Sequence, residues 1–398
     1  MEKICCIDNG ACNIKIGNIT DEKPLVIPNC IMKAKSEKRR PFIGNQIDEC
    51  RDISGIFYIL GFTKGYITNW EVQKNIYDYI FSTEFPVNFS DTKLIITEPL
   101  FNFPIIQEAM IEIFFEEYDC ISLTKTTAPD LCQYQYTNTQ DPDEPPLCCV
   151  VIDVGYSFSH IVPFVKGKKV LSAIRRIDIG GKLLTNHLKE VISYRFLNVM
   201  DESFVINQMK EDSCFVSQDF NADMAMAKKK YPENKTIREY VLPDCTTIRR
   251  GYLQTPGTAK KGDDYQVIRL NNERFTVPEL LFHPSDLGIN QMGIAEATVD
   301  AINACPEETR PHLYANIIVM GGSSKFPGIR NRLQKDIRSM APEIFTVSVS
   351  IPDDDPLTYA WYGSQFLAND PEFDNLSISR QDYEENGVRG VLNENDAQ

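Results

Sequence analysis

Two short apolar stretches of the chain end in the same kind of turn: Ile4-Cys5-Cys6-Ile7-Asp8-Asn9-Gly10 and Val150-Val151-Ile152-Asp153-Val154-Gly155. Each stretch predicts a buried strand that carries an aspartate to its end, followed by a glycine that lets the chain reverse. The backbone N–H groups of such turns can point together into a cleft and bind anions. Two similar turns therefore predict two similar half-domains that share a phosphate-binding cleft.

The length and the order of the predicted elements indicate an α/β protein of two domains. A chain of 398 residues is too long for one compact core and suits two domains or one duplicated architecture. Strand and helix patterns alternate along the chain, which favours an α/β architecture. The predicted strands span 3–7, 13–18, 94–97, 148–153, 159–165, 169–174 and 316–320, and the predicted helices span 69–81, 104–118, 182–194, 204–210 and 329–340.

Charge and cysteine content exclude several classes of function. The formal net charge of −15 disfavours direct binding to nucleic acid. The twelve cysteines include no Cys-x-x-Cys pair and the chain has only four histidines, so neither a disulfide framework nor a zinc site is expected. We also expect no secretion signal, because Glu2 and Lys3 precede a short strand rather than an apolar segment, and no run approaches 18 apolar residues.

A third glycine turn follows the predicted strand 316–320. The stretch Gly321-Gly322-Ser323-Ser324 precedes Pro327-Gly328 and the helix predicted at 329–340. A strand, a double glycine and a helix start together predict a second backbone site for an anion or a nucleoside. Polar loops are predicted at 138–146 and 255–264, and the Lys228-Lys229-Lys230 run is typical of a solvated helix end, with a nuclear localisation signal or an acidic-partner patch as the alternative.

Taken together, these segments resemble actin and the actin-related proteins over nearly the whole chain. The resemblance rests on the following stretches: Asp8-Asn9-Gly10 with Lys15 and Gly17; Gly65-Tyr66-Ile67-Thr68-Asn69-Trp70; Thr97-Glu98-Pro99; Tyr240-Val241-Leu242-Pro243-Asp244; Asn272-Glu273-Arg274-Phe275; Tyr314-Ala315-Asn316; Phe326-Pro327-Gly328; and Gln381-Asp382-Tyr383-Glu384-Glu385-Asn386-Gly387. Within the family, four stretches resemble the nuclear sixth class of actin-related proteins: 155–163, 180–190, 216–220 and 358–361.

The resemblance implies an actin fold, with two related ribonuclease-H-like domains in four subdomains around a nucleotide cleft. The first domain is expected at 1–141 plus 359–398, with the second subdomain at about 30–65, and the second domain at 142–358, with the fourth subdomain at about 180–294. The implied ligand is ATP or ADP with Mg²⁺, and an empty cleft is the alternative. The implied site residues are Asp8 and Asp153 for the metal; Gly10, Gly155 and Lys15 for the phosphates; and Gly181, Lys210, Glu211, Gly321, Gly322 and Phe326 for the nucleoside.

Departures from the actin pattern predict a pseudo-ATPase, with no catalytic residues of its own. Ala11 and Cys12 stand where actin has a serine and a glycine, and Tyr156 with Ser157 replaces an Asp-Gly pair. Ala128, followed by Pro129, stands where actin has the glutamine that orients the attacking water, although His160 remains at the second polar position. The alternative is a free actin-like nucleotide-binding protein with slow ATPase activity.

The sixth class implies a structural subunit of a Swr-type or SRCAP-type chromatin remodeller that exchanges a histone variant into nucleosomes. The implied partners are a HIT-type zinc-finger subunit and the motor ATPase, with contact to histones or nucleosomes through the complex; no membrane and no sequence-specific DNA binding are expected. The implied location is the nucleus, with some protein in the cytoplasm. Self-polymerisation is not expected, because the segment 31–44 is much shorter than the corresponding actin loop and is basic. The candidate docking surfaces are 31–44, 217–235, 255–264 and the acidic tail beyond residue 370.

Overall fold

The computed structural model describes residues 3–35, 40–50, 52–53, 55–141, 143, 145–244, 247–257, 265–353 and 355–396, with the main chain alone at 393–396. Parts of the predicted segments 31–44, 138–146 and 255–264, and the last two residues of the acidic tail, lie outside these described residues. The elements up to residue 139 are β1 (Lys3–Asn9), β2 (Asn13–Asn18), β3 (Leu25–Pro28), β4 (Ile31–Lys33), β5 (Pro41–Ile43), β6 (Phe57–Ile59), β7 (Phe62–Thr63), β8 (Tyr66–Ile67), α1 (Trp70–Tyr79), β9 (Thr92–Thr97), α2 (Pro104–Glu112), β10 (Ser122–Thr126) and α3 (Ala128–Thr139).

The remaining elements begin again with a long buried strand. They are β11 (Cys148–Val154), β12 (Ser159–Val165), β13 (Lys168–Lys169), β14 (Arg175–Ile177), α4 (Gly181–Arg195), α5 (Ser203–Ser213), α6 (Phe220–Ala227), β15 (Arg238–Val241), β16 (Tyr252–Gln254), β17 (Val267–Leu270), α7 (Glu273–Glu279), α8 (Ile294–Asn303), α9 (Arg310–Ala315), β18 (Ile317–Met320), α10 (Ile329–Met340), β19 (Val349–Ser350), α11 (Tyr359–Leu367), β20 (Ser377–Ser379) and α12 (Arg380–Asp396).

Two large sheets repeat one arrangement. In the first, the strand order is β20-β10-β9-β1-β2-β3, with β1 antiparallel to β2 and parallel to β9. In the second, the order is β13-β12-β11-β18-β19 with β14 beside β12, and β11 is antiparallel to β12 and parallel to β18. Each sheet therefore centres on a hairpin followed by parallel strands, which confirms the predicted α/β actin architecture. We call the parts built on the two sheets the first lobe and the second lobe.

The alternation of side chains along the central strands divides the interior into separate cores. Cys5 and Ile7 of β1 face the core of the first lobe, whereas Ile4 and Cys6 face a middle core. In β11, Val150, Ile152 and Val154 face the core of the second lobe, and Cys149 and Val151 face the middle core. Because successive side chains of a strand point to opposite sides, each sheet is covered on both faces.

The middle core is built around the two helices α3 and α11. Leu131 of α3 and Trp361 of α11 are fully buried in it, together with residues of both sheets. The helices approach closely at Gly363, where a Cβ atom would lie only 1.8 Å from the carbonyl oxygen of Leu131. These helices lie on the two chain segments that connect the sheets, because β10 leads through α3 to β11, and β19 leads through α11 back to β20.

Smaller sheets complete the two lobes. The first lobe carries a three-stranded sheet in the order β5-β4-β6, which we call the upper sheet, and the hairpin β7-β8. The second lobe carries the three-stranded sheet β16-β15-β17. The upper sheet has its own small core, formed by Cys30, Met32, Ala34, Phe42, Ile47 and Ile56. The domain boundaries given by the sequence stay a prediction.

One strand expected from the sequence is wrong. The apolar pattern predicts a single strand at 169–174, but β13 ends at Lys169 and Leu171–Ala173 forms a 3-10 turn before β14 begins. The helices predicted at 69–81 and 104–118 are shorter as α-helices, and each continues into a wider turn of the π type, at Ile80–Glu84 and Ile113–Glu117. Among the described residues, no helix combines the length and apolar character that crossing a membrane would require.

Candidate functional site

The two aspartate turns and the double-glycine turn after β18 face a cavity of about 480 Å³. The three turns follow β1, β11 and β18 and lie at the cavity wall. They meet there because β18 runs parallel to β11 and the β1 hairpin faces the β11 hairpin. The structure gathers here every residue that the sequence assigns to a nucleotide and its metal: Asp8, Gly10, Lys15, Asp153, Gly155, Gly181, Lys210, Glu211, Gly321, Gly322 and Phe326.

Asp8 is held in place by two donors. Its carboxylate accepts a hydrogen bond of 2.8 Å from Thr97 Oγ1 and an ion-paired hydrogen bond of 2.9 Å from Lys15 Nζ. The lysine reaches the aspartate because the two residues are direct partners in the β1–β2 ladder. Thr97 Oγ1 also accepts from the backbone N–H of Asn9, at 2.8 Å. The turn is therefore anchored at both Asp8 and Asn9, and Lys15 places a buried ammonium at the wall of the cavity.

Asp153 is the second carboxyl group of the cavity and is half-buried. Burial, and to a smaller degree the charge of Asp8, raises its pKa to about 7, while Lys15 acts in the opposite direction. A carboxyl group whose ionisation is opposed by a neighbouring carboxylate suits a divalent cation, which would favour its charged form. Among the described residues, no cluster of three or more His, Cys, Asp or Glu side chains could hold a metal alone. A pair of carboxylates instead suits Mg²⁺, which keeps waters and phosphate oxygens among its ligands.

Glycines let the backbone of these turns approach the cavity. A Cβ atom on Gly10 would lie 2.7 Å from the carbonyl oxygen of Asn13 and 3.3 Å from Lys15 Nζ. Gly321 has a φ of +93°, and a Cβ atom there would lie 2.6 Å from the Val154 carbonyl oxygen and 2.8 Å from Asp153 Oδ1. A larger residue at either position would collide with the hairpins that carry the aspartates. The turns thus form a cradle of main chain that fits a polyphosphate.

The far end of the cavity is lined by helices of the second lobe. Lys210 donates to Asn207 Oδ1 at 2.8 Å, to Thr185 Oγ1 at 3.0 Å and to the Gly181 carbonyl oxygen at 3.3 Å. Since an ammonium group has three N–H donors, all of them are engaged within the chain. Burial lowers the pKa of Lys210. This lysine therefore shapes the wall between α4 and α5, and it can contact a ligand only by giving up one of these bonds.

The residues that depart from the family pattern also line the cavity. Ala11, Cys12, Tyr156 and Ser157 all face it from the two hairpin turns. The Tyr156 ring lies beside Gly181, since a Cβ atom on that glycine would be 3.6 Å from Tyr156 Cδ2. Burial raises the pKa of Tyr156, and the neighbouring thiols of Cys12 and Cys30 add to this effect. Tyr156 is thus a neutral aromatic wall between the two lobes.

The start of α3 places an alanine at the cavity. Ala128 and Pro129 line it, and Thr127 caps the helix by exchanging hydrogen bonds with Asp130. Gln133 lies one turn further along α3 and donates to Thr137 Oγ1 at 2.9 Å, so its side chain belongs to the helix rather than to the cavity. The position where the resemblance implies a water-orienting glutamine therefore presents only a methyl group.

His160 is buried at the cavity wall in its neutral form. Burial, reinforced by the charge of Arg176, lowers its pKa to about 3, although Asp178 acts in the opposite direction. Its Nε2 atom has no hydrogen-bond partner within the described residues. The centroid of its ring lies 4.4 Å from the centroid of the Phe158 ring. A neutral imidazole with one free nitrogen can accept or donate a single hydrogen bond to a group in the cavity.

One side of the cavity is closed by a contact between the lobes. Arg176 donates to the Tyr66 hydroxyl at 2.8 Å and lies over the ring of Phe158, 4.5 Å from its centroid. Gly65 lies against the same ring, since a Cβ atom on it would be 1.9 Å from Phe158 Cε1. The hairpin β7–β8 of the first lobe is therefore attached to β14 of the second lobe and to Phe158, which directly precedes β12.

Sequence reasoning gave no role to two residues that organise the site. Thr97, quoted only as part of a motif, orients Asp8; it could have been found because β9 is parallel to β1 and ends at the same edge of the sheet. Asn207 accepts from Lys210 and donates to Glu211 Oε1 at 2.8 Å. Its spacing of three and four residues from these two charged groups on one helix is the signal that would have revealed it.

Comparisons with known proteins show similarity to one family over nearly the whole chain. The family model described as Actin matches residues 2–394. Actin-related protein 6 of Drosophila melanogaster is 50% identical over 394 residues, covering 98% of this chain and 98% of that protein. Actin-like protein ARP6 of Cryptococcus neoformans is 37% identical over 406 residues, covering 96% of this chain and 82% of that protein. Actin-related protein 6 of Arabidopsis thaliana is 36% identical over 416 residues, covering 97% of this chain and 98% of that protein.

Proposed function

The chain belongs to the actin family, and within it to the actin-related proteins of the sixth class, and from this membership we propose that it is a non-catalytic structural subunit of a Swr-type or SRCAP-type chromatin-remodelling complex. Such a complex exchanges a histone variant into nucleosomes, and its ATPase activity resides in another subunit. The proposed location is the nucleus, with some protein in the cytoplasm. The proposed partners are a HIT-type zinc-finger subunit and the motor ATPase, with histone or nucleosome contact through the complex.

The observation that carries the non-catalytic part of the proposal is the methyl group of Ala128 at the start of α3. A nucleoside triphosphatase needs a polar group that positions the attacking water, and loss of such a group costs a few kcal/mol of barrier height. Ala128 and the neighbouring Pro129 cannot supply it. Ala11 at the first turn adds no hydroxyl group toward the phosphates. The cavity therefore supports binding better than hydrolysis.

A bound ATP or ADP with Mg²⁺ fits the residues of the cavity. Asp8 and Asp153 would hold the hydrated cation, the turns at Gly10 and Gly155 with Lys15 would hold the phosphates, and the glycines after β18 would line the nucleoside. The cation would supply positive charge to the two carboxyl groups. Denaturing the purified protein and chromatographing the released nucleotide tests this point, and recovery far below one nucleotide per chain would contradict it.

A partly exposed helix supports the docking part of the proposal. The eight residues of α6, Phe220–Ala227, lie in the candidate surface 217–235, and none of them is fully buried although most are apolar. Ala225 is exposed, whereas Met224 and Met226 are half-buried. Methionines adapt to varied partner surfaces, and accessible apolar surface favours protein–protein contact. We expect Ala225→Arg, at an exposed position of this helix, to reduce partner recovery without lowering the melting temperature.

Affinity purification tests the proposed function directly. The tagged chain is recovered from nuclear extract, and its partners are quantified by mass spectrometry. Stoichiometric recovery of a remodeller motor together with a HIT-type zinc-finger protein is the expected result. Recovery of the chain alone, or with cytoskeletal proteins only, would contradict it.

The alternative is a free actin-like protein with slow ATPase activity. It is favoured by one observation, namely that Asp8, Lys15, Asp153 and His160 all line the same cavity. Single-turnover hydrolysis separates the two candidates. Hydrolysis clearly above that of an Asp8→Ala control would favour the alternative, whereas equal rates would favour the non-catalytic subunit.

A further inference from the structure

The upper sheet of the first lobe is fastened to the corner between α4 and α5 of the second lobe. Five residues make this connection, and we call them the clasp: Lys35, Gly55, Asp201, Glu202 and Phe204. The two sides are far apart in sequence, as the Gly55–Glu202 separation of 147 residues shows. The clasp therefore joins the lobes at a place separate from the α3–α11 connection.

The central contact of the clasp is a bond from the main chain to a carboxylate. The N–H of Gly55 donates to both oxygens of Glu202, at distances of 3.1 and 3.0 Å. Glu202 is the N-cap residue of α5, yet its side chain caps no N–H of that helix. Its charge is thus used across the cleft rather than within its own helix. Hydrogen bonds to a charged acceptor are about twice as strong as neutral ones.

An apolar contact accompanies this bond. Phe204, in the first turn of α5, packs against the core of the upper sheet formed by residues such as Met32 and Phe42. It is the one described residue beyond Leu60 that joins this core. The ion pair between Lys35 and Asp201, at 2.9 Å, is 52% and 61% exposed and adds little stability. Glu202 and Phe204 therefore contribute most of the stability of the clasp.

The clasp lies next to the cavity. Tyr58 of β6 is half-buried and packs on the upper-sheet core. Asn29, directly before Cys30 of that core, donates its backbone N–H to the Cys12 carbonyl oxygen at 2.8 Å and its side-chain amide to the Gly10 carbonyl oxygen at 2.9 Å. Gly10 and Cys12 both line the cavity. The sheet that the clasp holds in place is thus hydrogen-bonded, through the residue that precedes Cys30, to the first turn of the cavity.

We propose that the clasp, rather than a bound nucleotide, keeps the two lobes closed over the cavity. In this arrangement the chain supplies its own contacts between the lobes, through Glu202 and Phe204, so closure persists in the nucleotide-free protein. The inference deepens the proposed function, because it concerns the regulation of the pocket that the proposal assigns to a nucleotide. It also gives a physical reason why a subunit without turnover would present one fixed shape to its partners.

Amide hydrogen exchange at Gly55 tests the clasp. The full-length protein is stripped of nucleotide with EDTA and a phosphatase, and exchange is measured with and without added Mg-ATP. We expect exchange at Gly55 to differ less than about twofold between the two samples. Glu202→Ala should raise it by about 10-fold or more in both, because the amide loses a charged acceptor. Glu202→Gln, which keeps the size of the side chain, should give a smaller increase.

Matched variants make the result interpretable. Asp374→Asn removes an exposed partner of Lys93 elsewhere in the molecule and should leave Gly55 exchange unchanged. Phe204→Ala should raise exchange at Gly55 without changing exchange in β11, unless the whole lobe unfolds, which circular dichroism would detect. Exchange at Gly55 that rises about 10-fold when nucleotide is removed from the wild type, or that is unaffected by Glu202→Ala, would overturn the inference.

The same samples separate this inference from the proposed function. If the purified chain carries no nucleotide and binds no Mg-ATP, the nucleotide part of the proposed function fails, yet the comparison of wild type with Glu202→Ala still decides the clasp. If nucleotide is bound and Gly55 exchange follows its removal, the clasp fails while the pocket stands.

Discussion

Single residues at the cavity show how burial changes the chemistry of groups that are ordinary elsewhere. Asp153 has its pKa raised to about 7 by burial and the neighbouring Asp8, whereas the pKa of His160 is lowered to about 3 by burial and by Arg176. Both shifts favour the neutral form of the group. These two groups of the cavity are thus harder to ionise than the same groups in water.

The histidine gives a pH dependence with a definite sign. Folded His160 stays neutral, facing Arg176 and Asp178, whereas an unfolded histidine takes up a proton below pH 6.5. The stability that it contributes is therefore present above pH 6.5 and is lost as the pH falls from 6.5 towards 3. When the pH falls from about 7 to about 5, we expect the free energy of unfolding of His160→Gln to decrease by about 2 kcal/mol less than that of the wild type. Urea denaturation at both pH values measures this, with His312→Gln, at an exposed position, as the control.

An equal decrease in the free energy of unfolding of His160→Gln and of the wild type over this pH range would show that His160 is protonated in the folded state. That result would contradict the neutral imidazole inferred from its burial.

The glycine after β18 allows the cost of a steric clash to be separated from the cost of a positive φ angle. Gly321 and Gly257 both have positive φ, at +93° and +82°, but only at Gly321 would an added Cβ atom meet neighbouring atoms. We expect Gly257→Ala to lower the free energy of unfolding by about 1 kcal/mol and Gly321→Ala to lower it by about 3 kcal/mol or more. Urea denaturation provides the measurement. Equal losses would mean that Val154 and Asp153 can move aside.

At the residue scale, the sequence predicted which groups meet but not how they are engaged. The turns around Asp8 and Asp153 could be recognised because an apolar strand, an aspartate and a glycine lie within a few residues of one another. The bond from Lys210 to Thr185 could not, since it depends on how α4 packs against α5. The partnership of Glu202 with Gly55 spans too many residues for any local pattern to reveal it.

At the scale of helices and strands, a buried ion pair joins three parts of the second lobe. Arg332 of α10 donates to both carboxylate oxygens of Glu279 at the end of α7, at 2.7 and 3.1 Å, and to the Ser217 carbonyl oxygen at 2.8 Å. The two charged side chains are 10% and 3% exposed. Removal of Glu279 leaves the buried guanidinium of Arg332 with one carboxylate partner, Asp336 at 2.7 Å, in place of two.

We therefore expect Glu279→Ala to lower the free energy of unfolding by about 2–3 kcal/mol, because two charged hydrogen bonds are lost while Asp336 still pairs with Arg332. Glu307→Ala is the matched control, because Glu307 is 88% exposed and lies 3.9 Å from its partner Arg310. That substitution should change stability by less than about 0.5 kcal/mol. Thermal unfolding followed by circular dichroism measures both. A loss below about 1 kcal/mol for Glu279→Ala would show that water reaches Arg332.

The elements themselves were largely predictable where periodicity was long and uninterrupted. The central strands β1, β2, β11 and β12 match their predicted spans within two residues. The error at 169–174 arose because Val170, Leu171 and Ile174 are apolar at neighbouring positions, which resembles a strand. In the structure the Val170 N–H donates to the Pro163 carbonyl oxygen and the chain turns, leaving Leu171 60% exposed. Tertiary contacts, rather than the local apolar pattern, therefore determine the main-chain conformation of residues 169–174.

At the scale of the whole molecule, duplication was visible in the sequence because each half repeats a hairpin that ends in Asp-x-Gly. The return of the chain to the first sheet was not visible from local pattern. β20 pairs with β10 through contacts such as Leu123 with Ile378, and the family resemblance alone implied it. Long-range strand pairing of this kind carries no local signal.

The whole molecule should remain a monomer under conditions that assemble actin. The segment between β4 and β5 is short and basic, so it lacks the apolar insert of a longitudinal contact. We expect the chain to stay in the supernatant on ultracentrifugation at the salt and nucleotide concentrations used for actin assembly, with actin in a parallel tube as the positive control. Concentration-dependent pelleting would contradict this expectation.

Cys12 makes the cleft observable without any engineered labelling position. Cys5, Cys6 and Cys12 are free thiols, and burial raises the pKa of the Cys12 thiol to about 11, so little thiolate is present at neutral pH. Cys12 lines the cavity and is partly exposed, whereas Cys5 and Cys6 of β1 are fully buried. A thiol-reactive dye should therefore modify Cys12 slowly in the closed cleft and faster when the lobes separate. The change in its labelling rate would report the opening of the native cleft.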